Sequence, residues 1–275
     1  MKAIIVSKKD LAGMNIKECL LRLFDFKETE EEFEDEKVYE IEVEKEKIKL
    51  YTTEKDSIDC ENVDEKINAD FIVFATKHQS KSGIPSLSVH IQGNWTKAEF
   101  GGSDRKLCIA DADYLRDCLF KIEELANNND KYDIIQECTH HGPYLAKTPC
   151  MFIEIGSSEK QWPDKQAGEI IAKTIMSIIP KKPKHYKTAF GIGGLHHCPN
   201  FKKVMEKSDL AFGHICPKYM LENLDKEMIL QAMERNTHKC EEVVLDWKGL
   251  GPYKQKIAKM LDELEIKYKK TKEFS

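Results

Sequence analysis

Apolar residues gather in short continuous runs of strand length, and between the runs they recur three and four positions apart. Continuous runs mark strands covered on both faces, and the helical recurrence marks amphipathic helices laid over them. Residues 2–6 read as a first strand. Leu11, Met14, Cys19, Leu20 and Leu23 then place a helix over 11–24. Residues 28–36 carry acidic charge without an apolar period and read as a loop. Val38, Ile41 and Val43, followed by Ile48, Leu50 and Tyr51, suggest a hairpin, so that 28–52 would be an N-terminal hairpin insertion on a sheet edge.

Residues 71–75 are uninterruptedly apolar, as in a central strand. Further strands are expected at 87–91, 107–110, 132–138, 150–155, 185–192, 210–215 and 243–247. Helices are expected at 111–125, 164–179, 201–207, 220–235 and 253–264. Strand and helix alternate through the second half, which predicts an α/β fold with a largely parallel sheet. Residues 1–275 contain no Pro-rich or low-complexity linker and read as a single α/β domain.

Composition narrows the setting. Nine cysteines lie scattered, several inside apolar runs, and read as reduced core thiols. No apolar stretch reaches the roughly 18 residues of a membrane span, so a soluble, cytosolic protein is expected. The net charge of -5 speaks against a nucleic-acid-binding surface over the whole molecule. Lys181, Lys182, Lys184, Lys187, Lys202 and Lys203 nevertheless flank 191–199, and turn that side toward a polyanion.

Three stretches share one design, a buried strand ending in imidazole, hydroxyl or thiol groups beside glycine. They are 71–83 with His78, Ser80, Ser82 and Gly83; 134–143 with Glu137, Cys138, Thr139, His140, His141 and Gly142; and 188–199 with Gly193, Gly194, His196, His197 and Cys198. Open α/β sheets bind ligands at such strand ends, so the imidazoles are expected to converge on one rim of the sheet. His214 falls at another strand end. Gathered imidazoles with Glu137, Glu154, Cys198 and Cys216 could bind zinc and leave a position for water or substrate. A histidine general base with Gly142 or Gly193–Gly194 amides as oxyanion donors is a second reading. A Ser80, Ser82, Thr76 or Thr139 nucleophile is a third, and no G-x-S-x-G elbow supports it. Lys248 in the Asp246–Gly251 turn suits a phosphate or an ordinary β-α turn. Trp95 and Trp162 could stack on a base or pack locally.

Taken together, the blocks at 75–90, 137–143, 152–157 with Trp162, 191–197, 213–215 and 246–249 resemble the archaeal and plant type of D-aminoacyl-tRNA deacylase, in family order over 73–251. The resemblance implies hydrolysis of the ester joining a D-amino acid to the terminal adenosine of tRNA. It also implies two zinc ions per monomer and a three-layer α/β/α fold with a mixed sheet, of the phosphorylase and peptidyl-tRNA hydrolase type. Within these blocks the residues themselves make His78, His140, His196, Thr139, Gly142 and Gly194 the catalytic candidates, and Ser80, Ser82, Gly83, Pro85, Pro143 and Lys248 the candidate substrate contacts. His140, His141, His196 and Glu137 are expected as metal ligands, with a monomer acting on D-aminoacyl-tRNA. The Gly83–Pro85 and Gly142–Pro143 corners would be rigid walls that exclude one hand of substrate. His197 stands where a Tyr is expected in many relatives. Rival readings are a zinc exopeptidase, a nucleoside-type hydrolase and a non-catalytic RNA-binding protein.

Overall fold

The structure, a computed structural model, describes residues 1–126 and 131–274. In chain order its main elements are β1 (Lys2–Ser7), α1 (Leu11–Leu23), β2 (Lys27–Phe33), β3 (Glu36–Val43), β4 (Glu46–Thr53), β5 (Phe71–Lys77), β6 (Ser86–His90), α2 (Ala112–Ala126) and β7 (Asp133–Gln136). They continue with β8 (Cys150–Gly156), α3 (Lys165–Ile178), β9 (Lys187–Ile192), α4 (Pro199–Glu206), β10 (Leu210–Cys216), α5 (Lys226–Glu234), β11 (Glu242–Leu245), α6 (Lys254–Glu263) and β12 (Tyr268–Lys270). One sheet has the order β2-β3-β4-β1-β5-β8-β6-β7 and a second the order β10-β9-β11-β12.

The α/β class with a mixed, mostly parallel sheet is as expected. β4, β1, β5 and β8 run parallel, β6 lies antiparallel to β8, and β7 runs with β6. The second sheet is parallel throughout. Helices α1, α2 and α3 pack together on the large sheet around Ile4, Phe71, Phe74 and Phe152. A smaller core of Phe190, Ile192, Leu245 and Leu250 holds the second sheet. Asp10 caps α1 through the Ala12 and Gly13 amides, and its second oxygen accepts from Thr76 Oγ1 and the Lys77 amide. That carboxylate fixes the end of β5, where His78 leaves the sheet.

Four sequence expectations change. Residues 28–36 are not a loop, because β2 pairs with β3 as the outermost strand of a meander that joins the sheet through the β1–β4 pair. An edge strand tolerates charge on both faces, so no apolar period reports it. The expected helix at 220–235 begins only at α5, capped by Asp225 through the Met228 amide. Buried Leu221 and Leu224 precede it and mimic helical spacing. Residues 107–110 make isolated bridges rather than a strand, and β12 carried too short a signal to be read.

The geometry also moves the site. Since β6 and β7 run against β5 and β8, their carboxyl ends leave by opposite rims, and the expected single rim is replaced by a face of the sheet. Ser88 pairs with Glu154 and His90 with Phe152, which puts Ser88, Glu154 and His90 on one face. After β7 the chain crosses to the second sheet. There the Cys138 amide donates to His196 O at 2.9 Å and the Thr139 amide to Ile215 O at 3.0 Å.

Candidate active site

Imidazoles distant in sequence meet above that face. Ring centroids of His140 lie 4.2 Å from His141, 4.3 Å from His90 and 4.4 Å from His196. His78 is 6.1 Å from His196, and His197 is 5.6 Å from it. The convergence of His78, His140 and His196 is thus present, and His90 joins them.

Three of these rings are oriented by the backbone. Nδ1 of His90 faces Ile91 O at 3.2 Å, Nδ1 of His140 faces Cys138 O at 2.9 Å, and Nδ1 of His141 faces Gly142 O at 2.7 Å. A carbonyl only accepts, so each Nδ1 carries a hydrogen, and in the neutral ring Nε2 is the atom with the lone pair. This arrangement typifies metal-ligating histidines. The three side chains offer donor atoms within 4.8 Å of one another.

Two buried carboxylates complete the cluster. Glu137 Oε2 accepts from His196 Nε2 at 2.8 Å, and its Oε1 is 3.2 Å from His78 Nδ1. Glu154 Oε2 lies 3.5 Å from His78 Nδ1 and 3.7 Å from His90 Nε2, and accepts from Ser88 Oγ at 3.4 Å. Burial pushes the Glu137 carboxyl up, but the His196 hydrogen bond and the charges of His78, His90 and His140 outweigh it and hold the group well below its usual range. Burial pulls His196 down, while hydrogen bonds with Cys138 and Glu137 prevail and raise it to about 10. Burial and the neighbouring His140 and His90 hold His141 well below the ordinary imidazole value.

The cluster is incomplete as protein alone. His78 Nε2, His90 Nε2 and Glu137 Oε1 are buried without a hydrogen-bond partner among the described residues. Such atoms are costly unless something occupies the space between them. Nitrogen donors with fixed tautomers, two carboxylates and a thiol suit zinc, so the residues present fit the metal that the resemblance implies.

Other expected residues fall elsewhere. Thr139 is buried with its Oγ1 bound to His214 Nδ1 and the Ile215 amide, so it braces the crossing rather than facing substrate. The Gly142 amide donates to Phe100 O at 2.9 Å and is not free for an oxyanion. Glycine is required there because a Cβ would sit 2.2 Å from Gly102 N. Gly194 packs on the turn after β11, where a Cβ at Gly249 would be 2.5 Å from its amide nitrogen. Pro143 is buried behind the site. Lys248 is exposed on that same turn, whose Gly249 amide is taken by Asp246 Oδ1 at 3.2 Å, leaving an ordinary β-α turn rather than a phosphate cradle. His214 lies inside β10, fully buried, and burial drives it down to about 4.

Two cavities flank the cluster, and His196 lines both. One of about 900 Å³ is bordered by Lys77, Ser80, Lys81, Phe100, Lys160 and Trp162, while Ser82, Gly83 and Pro85 lie outside its lining. The other, about 910 Å³, is bordered by Ile135, Leu195, His197, Lys202 and Lys203. Trp162 donates through Nε1 to His78 O at 3.0 Å and so positions that histidine. Trp95 is buried and donates to Thr139 O at 2.8 Å, which excludes base stacking. Cys138, read as a core thiol, lies 3.5 Å from His196 Nδ1 and 3.3 Å from Tyr219 Oη. Nothing in the sequence singled out Tyr219, which sits in a single helical turn after β10.

Fold and site define an α/β protein with a buried set of imidazoles and carboxylates between its two sheets as its candidate reaction centre. Residues 65–269 match the sequence model of the D-aminoacyl-tRNA deacylase family. The chain is 42% identical over 275 residues to the D-aminoacyl-tRNA deacylase of Pyrococcus furiosus, covering 98% of this chain and 99% of that one. It is 41% identical to the Thermococcus onnurineus protein of the same name, covering 96% and 97%. The crystal structure of a conserved protein of unknown function superposes with a TM-score of 0.88 at 29% identity, covering 100% of this chain and 96% of that one. The chain belongs to the D-aminoacyl-tRNA deacylase family.

Proposed function

We propose that the protein hydrolyses the ester between a D-amino acid and the terminal adenosine of tRNA, releasing both, and that the histidine cluster holds zinc for this reaction. The supporting observation is the trio His90, His140 and His141, each with Nδ1 tied to a backbone carbonyl, beside two buried carboxylates. These three residues would hold one ion, with His90 taking the place expected for His196 and Glu137. Bound zinc would polarise the ester carbonyl and ease deprotonation of water.

Glu137 and His196 then serve the protons. Glu137 is ionised, and its Oε1, which lies 3.2 Å from His78 Nδ1 but makes no hydrogen bond among the described residues, can accept the proton of the attacking water. His196, protonated at neutral pH, can donate toward the leaving ribose oxygen. His78 neutralises Glu137 and Glu154 from the far side. The second zinc implied by the resemblance would have to enter the His78–Glu137–His196 set, whose donors also lie within 4.8 Å of one another. A metal count on Glu137→Gln, one equivalent lower or unchanged, decides between these uses.

The cavity bearing Lys77, Lys81, Lys160 and the exposed Phe100 ring suits the phosphates and adenine of the tRNA end, by charge and stacking. Hydrolysis of matched D- and L-aminoacyl-tRNA tests the function. Release from the D ester with the L ester spared is expected. Equal loss of both, or cleavage of peptides or nucleosides with the D ester untouched, would overturn it.

A further inference from the structure

We propose that Asp113, His185 and His238 form a separate transition-metal site, which binds zinc or a similar divalent ion and clamps the two sheets together. Asp113 lies in the first turn of α2, His185 just before β9 and His238 shortly before β11. The catalytic cluster takes His196 from the other end of β9, so six strand residues, roughly 20 Å, lie between the two sites.

Asp113 Oδ2 is 3.0 Å from His185 Nδ1 and 3.6 Å from His238 Nε2, and the rings lie 4.5 Å apart at 58°. Donors held at roughly 2.0–2.1 Å by a tetrahedral ion stand about 3.3–3.4 Å from one another, a value these distances bracket. The Tyr186 amide binds Asp113 Oδ1 at 3.0 Å, which fixes the carboxylate and leaves Oδ2 to the imidazoles. A simple ion pair uses one imidazole. Here two aim a nitrogen at one oxygen.

Exposure agrees with an ion arriving from solvent. The Asp113 side chain is 2% exposed, while those of His185 and His238 are 62% and 50% exposed. Two histidines and a carboxylate favour zinc, cobalt or nickel over magnesium or calcium, and leave a coordination position for water. Helix α2 packs against β6 and β7 of the large sheet and against β10 of the small one, so an ion here fastens the segments leading into β9 and β11 to a helix that spans both bodies, at the end away from the chemistry.

The test uses full-length protein stripped with chelator and titrated with Co²⁺, then Zn²⁺, reading bound equivalents by elemental analysis and the metal-induced rise in Tm. His185→Ala/His238→Ala is compared with wild type and with His140→Ala. Both exchanged histidines are half exposed or more, so the fold tolerates their loss. The double variant is expected to bind one equivalent fewer and to lose part of the Tm rise, while zinc-loaded hydrolysis of D-aminoacyl-tRNA stays within about twofold of wild type. Unchanged equivalents and an unchanged Tm rise would overturn the site. So would the loss of all bound metal on His140→Ala.

Discussion

The two sides of the histidine cluster are built differently. Glu137, Glu154 and His90 on the large-sheet side are sealed from water, whereas the His196 side chain is 33% exposed and Tyr219 53% exposed on turns of the small sheet. A buried charge costs several kcal/mol unless it is paired, so the floor persists only as a complete set of mutually neutralising groups. The rim is open to solvent. Under the proposed function the acceptor of the water proton, Glu137, lies on the sealed side and the proton donor, His196, on the exposed one.

Exchanges on the floor should cost most. Glu137→Gln is expected to lower kcat by about 10²–10⁴ with little change in tRNA affinity, measured by single-turnover hydrolysis beside a binding assay. A loss below tenfold would remove the floor's special standing. His196→Gln on the rim should cost about 10²-fold and leave metal content unchanged. If it cost more than the floor variant, the comparison would be reversed.

Stability under acid sharpens the contrast from outside the reacting atoms. His214 is neutral in the fold with a value near 4, below the 6.5 of a free imidazole, so the unfolded chain takes up more protons as pH falls. Its contribution is complete above about pH 6.5 and is lost as pH falls toward 4, roughly 3 kcal/mol in all. Denaturant melts of wild type and His214→Asn across that window should differ in slope; parallel curves would refute the assignment. Smallest of all, Tyr219→Phe removes one hydrogen bond to His196 Nδ1 and should change kcat by about 2–10-fold.

Much of this was legible in the chain because strands buried on both faces are written as apolar runs, and because His78, Glu137, His140 and His196 follow such runs directly. The direction of β6 and β7 was not legible, since an apolar run reads the same either way, and so a face of the sheet was mistaken for a rim. Charged β2 lacked any period because its order comes from pairing with β3. Thr139 and Gly142 look catalytic in sequence, but their polar atoms are spent on Ile215 and Phe100, which only tertiary contacts disclose. Asp113, His185 and His238 gave no signal at all, being separated by 72 and 53 positions.

The most direct measurement is single-turnover hydrolysis of D-aminoacyl-tRNA by chelator-stripped protein with zinc returned in steps, for wild type beside His90→Ala. Activity should vanish on stripping and return with zinc in the wild type, and should fail to return in the variant. Full activity in metal-free protein, or full recovery without His90, would contradict the central claim.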